Sequence, residues 1–146
     1  MEETYDKVKS EIGDTLFEVK NLTEKENKVN NIDMYVRKGE IVGIAGLVGA
    51  GKTELCKTLF GAYRRSSGEM KLNGRTIAPK TPSKAVKEGI ALVPEERRKE
   101  GILVNDPIYS NLTLSSLHKF LNKIKFISKP KQRKVAKEIV EDLGIK

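Results

Sequence analysis

Apolar residues recur along this chain in two rhythms, and the rhythm changes at glycines. Ile32, Met34 and Val36 alternate with Asp33 and Tyr35, which predicts a strand with one buried and one wet face. Glu69-Met70-Lys71-Leu72 alternates in the same way. Leu16-Phe17-Glu18-Val19-Lys20 reads as an earlier strand, joined to the next by a polar turn from Thr23 to Asn31. Asn73-Gly74 predicts a hairpin, because both residues accept the left-handed backbone that a two-residue turn requires. Ile41-Val42-Gly43-Ile44-Ala45 and Ile90-Ala91-Leu92-Val93 do not alternate; apolar on both faces, they predict buried strands of the parallel kind.

Helical spacing fills the remainder. A helix is predicted from about Gly51 to Phe60, with Leu55 and Leu59 on its inner face and Gly61 as its stop. Thr81 and Pro82 predict the cap and first turn of a short helix that Gly89 ends. A charged loop, Pro94 to Gly101, leads to helices over about Ser110–Phe120 and Lys131–Leu143, separated by a break at Ser128-Lys129-Pro130. The last helix carries Val135, Ile139, Val140 and Leu143 on one stripe. Residues 1–14 form a charged lead-in ending at Gly13-Asp14.

Composition narrows the class. At 146 residues with 38% apolar content, the chain suits one folded domain rather than a disordered segment. No apolar run approaches the roughly 20 residues of a membrane span. The opening MEETYDKVKS is charged throughout, unlike a secretory signal. The single cysteine, Cys56, excludes an internal disulfide and suits a reducing cytosol. The net charge of +8 fits nucleic acid, an anionic membrane surface or phosphate ligands, and equally a chain whose acidic balance lies beyond it.

Gly46-Leu47-Val48-Gly49-Ala50-Gly51-Lys52-Thr53, followed by Glu54, fits G-x-x-x-x-G-K-[ST] and stands between a predicted strand and a predicted helix. Glycines let the backbone curl so that several N–H groups converge, and the helix N-terminus adds its positive dipole end. Lys52 brings a full charge to the β- and γ-phosphates; Thr53 offers its hydroxyl to Mg²⁺. The pattern therefore predicts binding of a nucleoside triphosphate.

Which triphosphate protein this is depends on the other motifs. A guanine reader needs N-K-x-D, and Asn122-Lys123-Ile124-Lys125 puts a lysine where the carboxylate belongs. A hydrolytic acid at a second strand end is not found: Pro94-Glu95 and Asn105-Asp106 follow apolar runs, but a proline displaces the first acid and the second run is short. A stand-alone small-molecule kinase is one rival class. A nucleic-acid-binding module is another, on the basic stretch Lys119, Lys123, Lys125, Lys129, Lys131, Arg133 and Lys134. Only Phe120 and Phe126 interleave there for stacking, so no nucleic-acid partner is expected.

The order Lys38-Gly39-Glu40-Ile41, phosphate loop, Thr53-Glu54-Leu55, Phe60-Gly61, Ser67-Gly68, Asn73-Gly74, Gly89 to Glu95 resembles the first part of an ABC-transporter ATPase domain. "GLVGAGKTEL", "GIALVPEERRKEGI" and Asn111-Leu112-Thr113-Leu114 are similar to the C-terminal ATPase half of bacterial importers for ribose, galactose, xylose and related sugars. The resemblance implies an α/β, partial P-loop NTPase over residues 15–146: a RecA-like ABC ATPase core, an antiparallel β subdomain and the start of a helical subdomain. It implies ATP and Mg²⁺ as ligands, Gly46–Glu54 as the binding loop, Lys52 and Glu95 as catalytic residues, and Thr53 and Glu95 as metal ligands. Glu95, 43 residues after Lys52, stands where most ABC domains carry a glutamine. Glu95 and Glu96 also fit a solvated loop pair with Arg97 and Arg98.

The implied partners are a second ATPase half, membrane permease subunits and, indirectly, a periplasmic or lipoprotein sugar-binding protein, with the protein on the cytoplasmic face of the membrane. Residues Thr23–Asn31 hold none of the aromatics on which many such domains stack adenine. The L-S-G-G signature, the Asp-Glu strand end and the switch histidine are not among the 146 residues; His118 precedes the place of the signature. The expectation is a truncated domain that does not hydrolyse ATP by itself and self-associates through open strand edges.

Overall fold

The computed structural model describes residues 10–122 and 124–145. Residues 1–9 of the expected lead-in and Lys123 of the Asn122–Lys125 tetrapeptide lie outside the described residues. The chain forms two compact units, the first ending at Leu92 and the second beginning at Val93.

The first unit is built on an antiparallel sheet in the order β2-β1-β3-β4, from β1 (Thr15–Glu24), β2 (Ile32–Arg37), β3 (Arg65–Leu72) and β4 (Arg75–Ile77). β1 is longer than the alternation predicted, and a bulge is the reason. Val19 and Leu22 are three residues apart, which in a regular strand puts them on opposite faces. The register shifts between Val19 and Leu22 against β2 and between Lys20 and Thr23 against β3, with Asn21 in the left-handed region at φ +50°. The extra residue brings both Val19 and Leu22 into the core. β2 behaves as its alternation predicts: Ile32, Met34 and Val36 are half-buried, Asp33 and Tyr35 exposed. The hairpin forms at Asn73-Gly74, both at positive φ, and pairs Met70 with Ile77 and Leu72 with Arg75.

Helix α1 (Lys52–Leu59) lays Leu55 onto Val19, Leu22, Val29, Met70 and Ile77, with Leu59 packed beside them. Helix α2 (Pro82–Glu88) starts as expected, Thr81 Oγ1 accepting from the Lys84 N–H at 3.4 Å, and ends at Gly89 in the left-handed conformation.

The predicted buried strands do not form. Ile41–Ala45 pairs with no strand among the described residues, and Ile41, Val42 and Ile44 are exposed. Ile90–Val93 is likewise outside any ladder; Ile90 packs on the core, whereas Val93 is exposed. A parallel strand gains its stability from ladder partners on its edges and helices on its faces, and this chain's described residues supply Ile41–Ala45 with no ladder partner.

The second unit is helical. A π-helical turn covers Arg97–Gly101. The helix expected over Ser110–Phe120 is instead α3 (Ile108–Thr113) followed by a 3₁₀ segment, Leu114–Phe120, kinked at Ser116. Asn111 holds the preceding loop: its Oδ1 accepts from the Leu103 N–H at 2.7 Å and its Nδ2 donates to the Leu103 carbonyl at 3.1 Å. Helix α4 (Lys129–Leu143) begins inside the expected break, because Pro130 sits in its first turn, where its missing N–H costs nothing. Its most buried residues are Gln132 and Ala136, a turn before the expected apolar stripe; Leu143 is 68% exposed. The Gln132 Nε2 donates to Thr113 Oγ1 at 2.7 Å, tying α4 to α3.

Candidate functional site

Gly46–Thr53 connects the unpaired Ile41–Ala45 segment to α1. Three glycines shape it for different reasons. Gly49 and Gly51 both lie at φ +81°, which an L side chain rarely adopts. At Gly51 a Cβ would also fall 2.8 Å from the Lys28 carbonyl oxygen, so this glycine lets the loop abut the turn after β1. At Gly46 a Cβ would meet Ala50 Cβ at 3.3 Å and Lys52 Cδ and Nζ at 3.9 Å, filling the space the loop encloses. The Ala50 N–H donates to the Leu47 carbonyl at 3.1 Å and closes the turn.

The Lys52 ammonium folds back over this loop, donating to the carbonyls of Gly46 and Leu47, each at 2.8 Å. A flexible cation is thus held at the loop's mouth by neutral acceptors. No side chain caps α1, whose N-cap is Gly51, and the Leu55 N–H begins its ladder on the Gly51 carbonyl at 2.8 Å. Glu54 in the first turn and Lys57 in the last complement the helix dipole. Thr53, half-buried, stands in that first turn. Leu47 and Val48 at the rim are exposed. An uncapped helix end, a glycine cradle and the Lys52 ammonium form a donor set that suits a polyphosphate.

The fold therefore gathers Gly46, Leu47, Val48, Gly49, Ala50, Gly51, Lys52, Thr53 and Glu54 around one loop of the first unit. Glu95 belongs to the second unit. It is exposed there, ahead of the π-helical turn, and its carbonyl accepts from the Arg97 N–H at 3.0 Å. Glu96 pairs with Lys99 at 3.1 Å.

Two residues beside the loop escape a reading by motif. Lys28 supplies the backbone carbonyl against which Gly51 packs. Tyr63 follows the end of α1 and faces the same turn, with Lys28 Nζ 5.8 Å and Lys57 Nζ 5.6 Å from its ring centroid. An aromatic so soon after the Phe60-Gly61 stop is the signal that marks it.

The ABC transporter family model matches residues 29–146. The chain is similar to the ribose import ATP-binding protein RbsA of Clostridium tetani, 45% identical over 142 residues, covering 97% of this chain and 28% of that protein. It is 39% identical over 144 residues to RbsA of Pseudomonas putida, covering 99% of this chain and 28% of that protein. To the xylose import ATP-binding protein XylG of Pseudomonas syringae it is 38% identical over 136 residues, covering 88% of this chain and 26% of that protein. The chain thus spans about a quarter of the length of these relatives. Loop, sheet and match together place the chain in the ABC transporter family, as a stretch of its P-loop ATPase domain.

Proposed function

We propose that this chain is part of the ATP-binding subunit of an importer for a simple sugar, and that Gly46–Glu54 takes the triphosphate of ATP. The observation that carries the reading is the Lys52 ammonium poised over the glycine cradle, where it donates to the neutral carbonyls of Gly46 and Leu47, contacts that a phosphate oxygen outcompetes. Backbone N–H groups from Gly49 to Glu54 would bind the phosphates, with Lys52 on the β- and γ-phosphates. Thr53 would offer its hydroxyl oxygen to Mg²⁺, which supplies neutralising charge to those phosphates; for Glu95 an oxygen-ligand role rests on the family resemblance alone. Glu95 in place of a carboxamide keeps an oxygen ligand and adds a negative charge.

In the whole protein, a second ATPase half faces this one across ATP, and closure of the pair drives membrane permease subunits fed by a sugar-binding protein. That places the protein at the cytoplasmic face of the membrane. Among the described residues no helix is long and apolar enough to cross it. The similarity to ribose and xylose import ATP-binding proteins supports a pentose or a related simple sugar as cargo.

Titration of MgATP into the 146-residue chain and its Lys52→Ala variant tests the reading. The chain binds weakly, and the variant binds at least about ten-fold more weakly, the loss of one charge-assisted contact. Equal affinities at equal thermal midpoints overturn the assignment of the loop. The 146 residues contain neither L-S-G-G nor an Asp-Glu strand end, so steady hydrolysis by the chain does not exceed that of the variant.

A further inference from the structure

We infer that Tyr63 is the stacking residue for the nucleotide's base, seated in the cleft between the turn after β1 and the segment after α1; this rests on the proposed role of the phosphate loop. A cavity of about 470 Å³ opens there, lined by Glu24, Lys25, Lys28, Tyr63 and Arg64 among others. Its two walls are tied by the Lys25 N–H, which donates to the Arg64 carbonyl at 2.8 Å. The wall that carries Lys28 also touches the phosphate loop, since the Lys28 carbonyl oxygen lies 2.8 Å from where a Cβ on Gly51 would be.

The opposite wall is fixed to α1. The N–H groups of Ala62 and Tyr63 donate to the Lys57 carbonyl at 2.8 and 3.1 Å. Lys57 is five residues beyond Lys52, a rise of roughly 8 Å along a helix. That offset is of the size that the ribose and α-phosphate span between a bound polyphosphate and its base. The cleft therefore lies between a turn that abuts the phosphate loop and an aromatic ring.

Tyr63 is half-buried, so its ring is positioned yet reachable. Lys28 and Lys57 already hold cations over it. Lys28 is an exposed side chain paired with the exposed Glu26 at 3.1 Å, and it yields the ring face to a base without uncovering the core. The turn itself contributes backbone and charged side chains; the aromatic surface comes from the other wall.

The test separates base from phosphate by using two ligands, MgATP and magnesium tripolyphosphate, on the 146-residue chain. Tyr63→Ala weakens ATP binding about ten-fold and leaves tripolyphosphate unchanged, while Tyr63→Phe keeps both affinities. The chain has no tryptophan, so Tyr63→Trp adds a single fluorophore, whose emission ATP quenches and tripolyphosphate does not. If Lys52→Ala weakens both ligands but Tyr63→Ala changes neither, or changes both alike, the stacking role is overturned while the phosphate loop stands. If Lys52→Ala changes neither ligand, the reading of the loop itself falls. Thermal midpoints of all variants show whether the fold is kept.

Discussion

Gly68 lies at φ +97°, and a Cβ there would fall 2.6 Å from the Leu22 Cα and 2.7 Å from the Asn21 carbonyl oxygen. β3 therefore passes the bulge of β1 only because this residue has no side chain. Gly74, in the hairpin at φ +74°, has nothing within 4 Å of the same position. Gly68→Ala is expected to cost about 3 kcal/mol, from backbone strain plus overpacking, and Gly74→Ala about 1 kcal/mol, from strain alone. Urea midpoints of the two variants check this; similar losses would mean that the bulge yields to the added methyl.

A second residue-scale contact sits between α3 and α4. Thr113 and Gln132 are both almost fully buried; the Thr113 hydroxyl accepts from the Gln132 amide across the helix pair while donating to the Tyr109 carbonyl at 2.8 Å. Thr113→Val leaves the Gln132 amide without its acceptor and is expected to cost about 2 kcal/mol. Adding Gln132→Leu removes the stranded amide, and the double variant recovers most of the loss; a purely additive pair of losses would show that the hydrogen bond carries no coupling.

Among the elements, local chemistry and environment can be told apart. Thr81, Pro82 and Gly89 bound α2 where their backbone preferences put them, and Asn73-Gly74 turns the hairpin. These features need only neighbours in sequence, so they were legible in it. Ile41–Ala45 and Ile90–Val93 show the other case. Apolar content reports what a segment gains by burial, not whether ladder partners are at hand, so both runs predicted strands that the described residues do not pair. Ser110–Phe120 carried a helical pattern, but the α-helix stops at Thr113 and the 3₁₀ segment that follows is itself kinked at Ser116. The stripe on α4 was legible at Val135, Ile139 and Val140, which are half-buried, but the same face runs a turn further back to the polar Gln132, which no apolar pattern marks, and does not reach Leu143.

The whole molecule leaves apolar surface in water. Ile41 is 98% exposed, Val48 fully so, and Val42, Ile44 and Leu47 are exposed between them. An unpaired apolar run of this kind recruits a second chain. The 146-residue chain is expected to associate in a concentration-dependent way by static light scattering, and Val42→Lys with Ile44→Lys to shift it towards monomer. A monodisperse monomer at high concentration would remove the prediction.

The sequence by itself determined the phosphate-loop pattern, the hairpin, the caps and the alternating strands, because each depends on residue type at short spacing. It also carried the family resemblance that the comparisons bear out. Only the tertiary structure decided that β1 bulges to bury both Val19 and Leu22, that Gly51 packs on Lys28, and that Tyr63 stands across a cleft from the turn after β1. Those are contacts between residues 10 to 35 positions apart. Their formation depends on how the sheet and α1 fold together, and no local preference encodes that.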